Sequence, residues 1–229
     1  MKEIFISTAN FQRFQALHDE LKENRYGIEM AAVVGQAGRG KTTAAQRIMT
    51  LDRRGIYLRF QQWFSPVGLL REVAFALGGE RPRNTQDCFD IIREEIERRS
   101  PILFVDEADR MSLKHLNTLR DLHDLCSVPV VLIGEEPLNN RLRMERRIKS
   151  RVRQHLVFEP VAQEDLVVYY RKALEQSLEP AWAAALVRHS EGDFRTVVKD
   201  ALAVQRYMRA SGLKNITGAI INQVANGKG

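Results

Sequence analysis

One stretch decides what this chain can fold into: Gly35-Gln36-Ala37-Gly38-Arg39-Gly40-Lys41-Thr42. It stands between the apolar run Met30-Ala31-Ala32-Val33-Val34 and a helix-forming run from Thr43 to Leu51. A strand, then G-x-x-x-x-G-K-[ST], then a helix is the context of a loop that cradles nucleotide phosphates. Gly35, Gly38 and Gly40 carry no Cβ, so the backbone can bend tightly and come close to phosphate oxygens. The loop's N–H groups, those of Gln36, Ala37 and Arg39 among them, then point inward. The following helix adds its positive N-terminal end. Lys41 is placed to reach the β- and γ-phosphates and Thr42 to hold Mg²⁺. The expected nucleotide contacts run from Gly35 through Thr43. ATP is favoured over GTP, because no N-K-x-D motif occurs.

The rest of the chain alternates. Ile56 to Phe60 is β-prone, Pro66–Leu77 and Thr85–Arg99 are helical, and Gly78 to Asn84 reads as a loop with two glycines, a proline and two arginines. Pro101-Ile102-Leu103-Phe104-Val105-Asp106-Glu107 is a continuous apolar run ending in two acids. Such a run reads as a strand buried on both faces, the signature of a parallel sheet. Ser112–Cys126 is helical, Pro129–Ile133 is another buried strand closed by Gly134, and an Arg-rich stretch covers Arg141–Arg153. His155–Phe158 reads as a last strand. An amphipathic helix from about Thr8 to Asn24 precedes the first strand, with Tyr26-Gly27-Ile28 as the turn between them. After Pro160 the β signals stop. Gln163–Gln176, Pro180–His189, Asp193–Arg209 and Ile216–Ala225 read as helices, and Asn226–Gly229 as a frayed end. The expected division is residues 1–161, an α/β nucleotide-binding domain with an N-terminal helix, and residues 162–229, a small all-helical lid.

Asp106 and Glu107 supply the second chemical signal. An acid at a strand end beside a glycine loop completes a Mg²⁺ shell with Thr42, and Glu107 is placed to take a proton from the attacking water. Gly192-Asp193-Phe194-Arg195 opens a lid helix, from which Arg195 would reach the γ-phosphate. The run Arg146-Arg147-Ile148-Lys149-Ser150-Arg151 offers a cation to a neighbouring subunit's site, either Arg151 or Arg147.

With 229 residues, 44% of them hydrophobic, the chain has enough apolar mass for a full core. A net charge of +6 permits a nucleic-acid partner. Cys88 and Cys126 form neither a C-x-x-C pair nor a disulfide framework, which fits a reducing cytoplasm. No signal peptide and no run of transmembrane length is present.

Together these motifs resemble the AAA+ ATPases over nearly the whole chain. Gly35–Thr42 matches Walker A, Ile102–Glu107 Walker B, Ser150-Arg151 the usual place of the arginine finger, and Gly192–Arg195 sensor 2. Within that superfamily the chain looks most like the MuB and TnsC/TniB transposition regulators. The resemblance is carried by Asp106-Glu107-Ala108-Asp109-Arg110-Met111, Leu119–Asp124 and Val130–Glu135. It implies a three-layer P-loop parallel sheet of five strands in the order 5-1-4-3-2, and Mg²⁺-dependent ATP hydrolysis. It further implies a homo-oligomer that forms on double-stranded DNA with little sequence preference. That assembly would deliver DNA to a transposase in the cytoplasm of a bacterial cell or phage host. Two departures stand out. The fourth strand ends in Gly134 with Glu135 next, where many AAA+ proteins place a polar sensor 1 residue. The first strand also starts too early to leave room for an N-terminal helix-turn-helix domain, so DNA contacts must come from the AAA+ body. Arg81, Arg83 and Lys114 are the candidates. An ATPase acting on a protein partner, as in ExeA-type proteins, and a replication initiator or loader are the alternatives.

Overall fold

The computed structural model describes residues 4–23 and 29–227. The turn expected at Tyr26-Gly27-Ile28 and the end of the frayed tail, Lys228-Gly229, lie outside the described residues. The elements run α1 Ala9–Glu23, β1 Met30–Val34, α2 Lys41–Leu51, β2 Ile56–Arg59, α3 Pro66–Gly78, α4 Thr85–Arg99 and β3 Leu103–Asp106. A tight helical turn, Ala108–Arg110, follows, then α5 Leu113–Cys126, β4 Val130–Gly134, α6 Glu136–Met144, α7 Arg146–Lys149 and β5 Val152–Val157. The last helices are α8 Gln163–Leu174, α9 Pro180–Ser190, α10 Phe194–Ala210 and α11 Gly218–Ala225.

The five strands are all parallel, in the order β2-β3-β4-β1-β5, which is the expected 5-1-4-3-2. Every residue of β1, β3 and β4 is buried, as a central strand covered on both faces requires. The edge strands β2 and β5 alternate instead. On one face α3, α4 and α5 close over the sheet, and Leu69, Val73, Ile92, Leu116 and Leu119 pack with Val105 and Leu132. On the other, Phe14 of α1 lies edge-on to Phe158 and against Phe104. Local chemistry sets the helix ends. Ser65 accepts a hydrogen bond from Gly68 N at 3.0 Å with Pro66 opening α3, and Asn84 accepts from Asp87 N at 2.9 Å to open α4.

Two boundaries differ from expectation. The Arg-rich stretch Arg141–Arg153, to which the sequence assigns no element, is structured. It forms the end of α6, all of α7 and the start of β5. Leu142 and Ile148 anchor it in the core, while Arg143, Arg146, Arg147, Lys149 and Arg153 are exposed. Strand β5 starts at Val152 rather than His155, because Met30 still pairs with Val152 across a register irregularity.

The chain forms two compact units. One holds the sheet, Arg13–Gln36 and Lys41–Phe158. The other gathers the segment up to Gln12, the loop tip Ala37–Gly40 and the chain from Glu159 onward. Its core is built by α8 to α11 around Leu166, Tyr170, Leu186, Val197 and Ile221. The sequence puts residues 1–161 in one domain; the packing groups the N-terminal segment and the loop tip with the helices.

Candidate nucleotide site

Strand β4 runs between β1 and β3, so the carboxyl end of the sheet brings the loop after β1 and the acids after β3 to either side of Gly134. Ligands of open parallel sheets bind at this end. Gly35 leaves the sheet so close to β5 that a Cβ there would stand 2.7 Å from Phe158 O.

Lys41, the first residue of α2, is 8% exposed, and its Nζ donates to Gly35 O at 2.6 Å and Gln36 O at 2.8 Å. An ammonium has three donors, so one remains for a phosphate oxygen. Burial lowers the Lys41 pKa, while the carboxylates of Glu135, Asp106, Asp109 and Glu107 pull it back up. Thr42 Oγ1 donates to Asp106 Oδ2 at 2.7 Å, and Tyr57 of β2 donates to the same oxygen at 2.6 Å. Glu107 N donates to Asp106 Oδ1 at 2.8 Å. Burial and the Asp106 hydrogen bond push the Tyr57 hydroxyl pKa up, so Tyr57 stays a donor. Tyr57 is a site residue that sequence reading missed; its only signal is its place in the strand that pairs with Asp106's.

A hydroxyl and a carboxylate in contact at a helix start form a small, hard oxygen donor set. Such a set suits Mg²⁺, which takes few protein ligands and completes its shell with water and phosphate. Glu107 follows Asp106 in the left-handed region, φ 61° and ψ 29°. That places about 1 kcal/mol of strain on a residue with a side chain. Its carboxylate meets Arg59 Nη2 at 2.8 Å and Arg110 Nε at 3.1 Å.

Within the helical unit, the loop tip is held by the segment that was expected to reach the nucleotide. Phe194 N donates to Gly38 O at 2.9 Å, and Arg39 Nη1 donates to Glu191 O at 2.6 Å. Gly38 has φ 75°, and a Cβ there would fall 2.2 Å from the Asp193 carboxylate. Asp193 caps α10 by accepting from Arg195 N at 2.6 Å. The Arg195 side chain is exposed.

The remaining candidates are dispersed. Thr43, next along α2, is exposed. Arg151 is engaged in its own chain: Nε meets Asp124 Oδ1 at 2.5 Å and Nη1 donates to Arg147 O at 2.7 Å. Arg147 is exposed. Arg81 pairs in a fork with Glu72, at 2.9 and 3.1 Å, and lies 3.6 Å over the Phe75 ring. Arg83 and Lys114 are exposed. The structure also shows a feature that sequence reading passed over: Trp63, 78% exposed, on the loop from β2 to α3. That loop is tied to the start of α5 by His115 Nε2, 2.8 Å from Phe64 O. Its sequence signal was an aromatic pair flanked by glutamines and a serine.

An AAA domain family model matches residues 25–142, more than half of the chain. The Mu-like prophage FluMu DNA transposition protein B of Haemophilus influenzae is 26% identical over 155 residues, which cover 67% of this chain and 53% of that protein. The ATP-dependent target DNA activator B of Escherichia phage Mu is 25% identical over 155 residues, covering 67% and 49%. The chain thus spans about half the length of the curated relatives it matches. Among solved structures, the Aeropyrum pernix ORC1 protein in complex with DNA superposes with a TM-score of 0.68 at 18% identity, over 97% of this chain and 66% of that one. The Thermotoga maritima RuvB Holliday junction branch migration motor gives 0.67 at 17% identity, over 95% and 68%. At such identities the likeness is one of fold. The chain belongs to the AAA domain family, and the relatives its sequence matches are transposition proteins of the MuB type.

Proposed function

We propose that this protein is a Mg²⁺-dependent ATPase that assembles on duplex DNA when ATP is bound and delivers that DNA to, or activates, a transposase. The observation that carries the chemistry is the Thr42–Asp106 contact beneath Lys41, with Glu107 next in sequence. Gly35 to Thr43 bind the triphosphate. Lys41 faces the β- and γ-phosphates with its remaining N–H. Thr42 and Asp106 hold Mg²⁺, which when bound neutralises charge developing on the phosphate oxygens. Glu107 takes a proton from the attacking water as the bond to the γ-phosphorus forms and the bond to ADP breaks. Arg195 and a finger from a neighbouring copy, Arg147 or Arg151, complete the charge stabilisation.

The DNA part rests on the named relatives and on the net charge of +6. Contacts are to phosphates through Lys114 and Arg83, with Arg81 joining only if it leaves Glu72. A single subunit binds weakly, and ATP strengthens binding by lining subunits along the duplex. The protein works in the cytoplasm of the bacterial cell or phage host, consistent with its free, buried Cys88 and Cys126.

Filter binding on random-sequence duplex across a salt series, with ATP and with ADP, tests this reading. ATP tightens binding, affinity falls steeply with salt, and replacing Arg81, Arg83 and Lys114 together flattens the slope while leaving ATP binding intact. Equal affinity with both nucleotides refutes the ATP-switched assembly. Absence of binding at low salt favours the second reading, an ATPase that drives a protein partner, which the exposed Trp63 also suits.

A further inference from the structure

Gly134, the last residue of β4, lies in register with Val34, just before the phosphate loop. The side-chain space at this strand end is taken by another residue. A Cβ on Gly134 would fall 2.7 Å from Asp109 Oδ1, 2.9 Å from Asp109 N and 3.1 Å from Leu138 Cδ2. Asp109 is fixed there. Its Oδ1 accepts a hydrogen bond from Glu135 N at 3.1 Å. Its backbone belongs to the tight turn after Glu107, closed by Arg110 N to Glu107 O at 3.0 Å and Met111 N to Ala108 O at 3.1 Å. Among the described residues its second oxygen, Oδ2, accepts no hydrogen bond. Asp109 is also one of the four carboxylates whose field favours the charged form of Lys41, so it lies within electrostatic reach of the phosphate site.

A carboxylate accepts hydrogen bonds and donates none. Against the γ-phosphate oxygens it is repelled, so it cannot serve as an amide or hydroxyl at a strand end would. It is suited to a group that carries O–H, and Glu107, two residues back on the same turn, faces the same chemistry. We propose, on the ATPase reading above, that Asp109 is a positioning residue that fills the side-chain place left by Gly134 and accepts a hydrogen bond from the water that Glu107 deprotonates. One proton of that water passes to the Glu107 carboxylate, and the other is held by Asp109 Oδ2. The water oxygen is thereby aimed at the γ-phosphorus as its bond forms and the bond to ADP breaks.

The test uses the full chain with Mg²⁺, saturating duplex DNA and two substitutions. Asp109→Asn keeps the size and the oxygen that accepts from Glu135 N, but turns the second oxygen into a donor. It is expected to lower kcat about tenfold or more, with KM and the calorimetric ATP affinity, measured with and without Mg²⁺, within about threefold of the parent. Asp109→Ala should lose as much. A purely structural role would instead lower the melting temperature of Asp109→Asn, which is expected to match the parent. The assignment is overturned if Asp109→Asn turns over within twofold of the parent. It is equally overturned if Asp109→Asn abolishes the Mg²⁺ enhancement of ATP affinity, which would make Asp109 a metal ligand. It also falls if Asp109→Asn loses turnover only in proportion to a lowered melting temperature. A parent that neither binds nor hydrolyses ATP refutes the ATPase reading and this assignment together. Normal parental turnover beside an unaffected Asp109→Asn refutes this assignment alone.

Discussion

Arg59 Nη2 lies 2.8 Å from Glu107 Oε1, a contact made by the last residue of β2 across the strand pair to the residue after β3. With Arg110 on the other oxygen, the proposed base sits between two cations. Each Glu107 oxygen is thus engaged by a guanidinium N–H, and one of these contacts has to open before that oxygen can accept a hydrogen bond from water. Arg59→Ala should therefore raise ATP turnover measured without DNA by about two- to fivefold, the range a partly exposed ion pair supplies. Steady-state phosphate release reads this directly, and unchanged or lower turnover would mean that the pair does not restrain Glu107.

Lys41→Ala removes the buried ammonium that Gly35 O and Gln36 O hold in place. ATP affinity by calorimetry should fall about a hundredfold or more, since a charge-assisted contact to the β/γ-phosphates is lost. Parental affinity in the variant would remove the basis for the phosphate-loop assignment.

Glu107→Gln should still bind ATP and should hydrolyse it at least about a hundredfold more slowly, because an amide cannot take the water's proton. DNA-bound assemblies should then persist longer after ATP is diluted away. A variant as fast as the parent would transfer the role of base to another residue.

The finger should be the arginine whose guanidinium is available to a neighbour. Arg151 is occupied by Asp124 and braces the Arg147 carbonyl, whereas Arg147 is exposed. Arg147→Ala should bind ATP normally and lose turnover by about a thousandfold, the scale of a finger, and Arg151→Ala should lose less. Mixing Arg147→Ala with Lys41→Ala should restore activity, since one mixed interface keeps an intact site and an intact finger. No recovery at any ratio, with mixed assembly confirmed, would exclude action in trans.

The helical unit contains a buried acid that should govern its response to pH. Asp200 is 6% exposed, its Oδ1 is 3.5 Å from His189 Nε2, and neither its Oδ2 nor the Tyr170 hydroxyl has a hydrogen-bond partner among the described residues. Burial pushes the Asp200 carboxyl up to about 6, against an opposing pull from His189. A folded pKa above the unfolded one favours the fold while the group is protonated. Stability from this group is thus full below about pH 4 and lost as the pH rises through about 6, a change on the order of 2–3 kcal/mol. Denaturant midpoints of parent and Asp200→Asn at pH 4.5 and 7 should show a smaller loss in the variant. Identical pH slopes would remove Asp200 as the cause.

The sheet and the phosphate site were legible because their signals are local or continuous. Three glycines at fixed spacing and an apolar run ending in two acids need no knowledge of distant partners, and Thr42 and Asp106 meet across 64 residues because the strand order brings them together. What was not legible depends on contacts between elements. Arg81 reads as a loose loop cation, yet Glu72 on the preceding helix claims it. Gly134 reads as a missing polar group, yet Asp109 supplies one from another turn. Helices α6 and α7 were hidden because arginines outnumber Leu138, Leu142 and Ile148, the few apolar residues that anchor them.

The left-handed backbone at Glu107 has a consequence for how the protein tolerates change. Replacing an ordinary residue by glycine usually costs about 0.4–1 kcal/mol through the freedom it gives the unfolded chain. At φ 61° that cost is offset by relief of about 1 kcal/mol of steric strain. Folding is therefore nearly indifferent to Glu107→Gly, and a screen for expression or thermal stability alone would pass it. Selection for turnover would reject it. At this position stability and activity should part company, and only an assay of chemistry can reveal damage there.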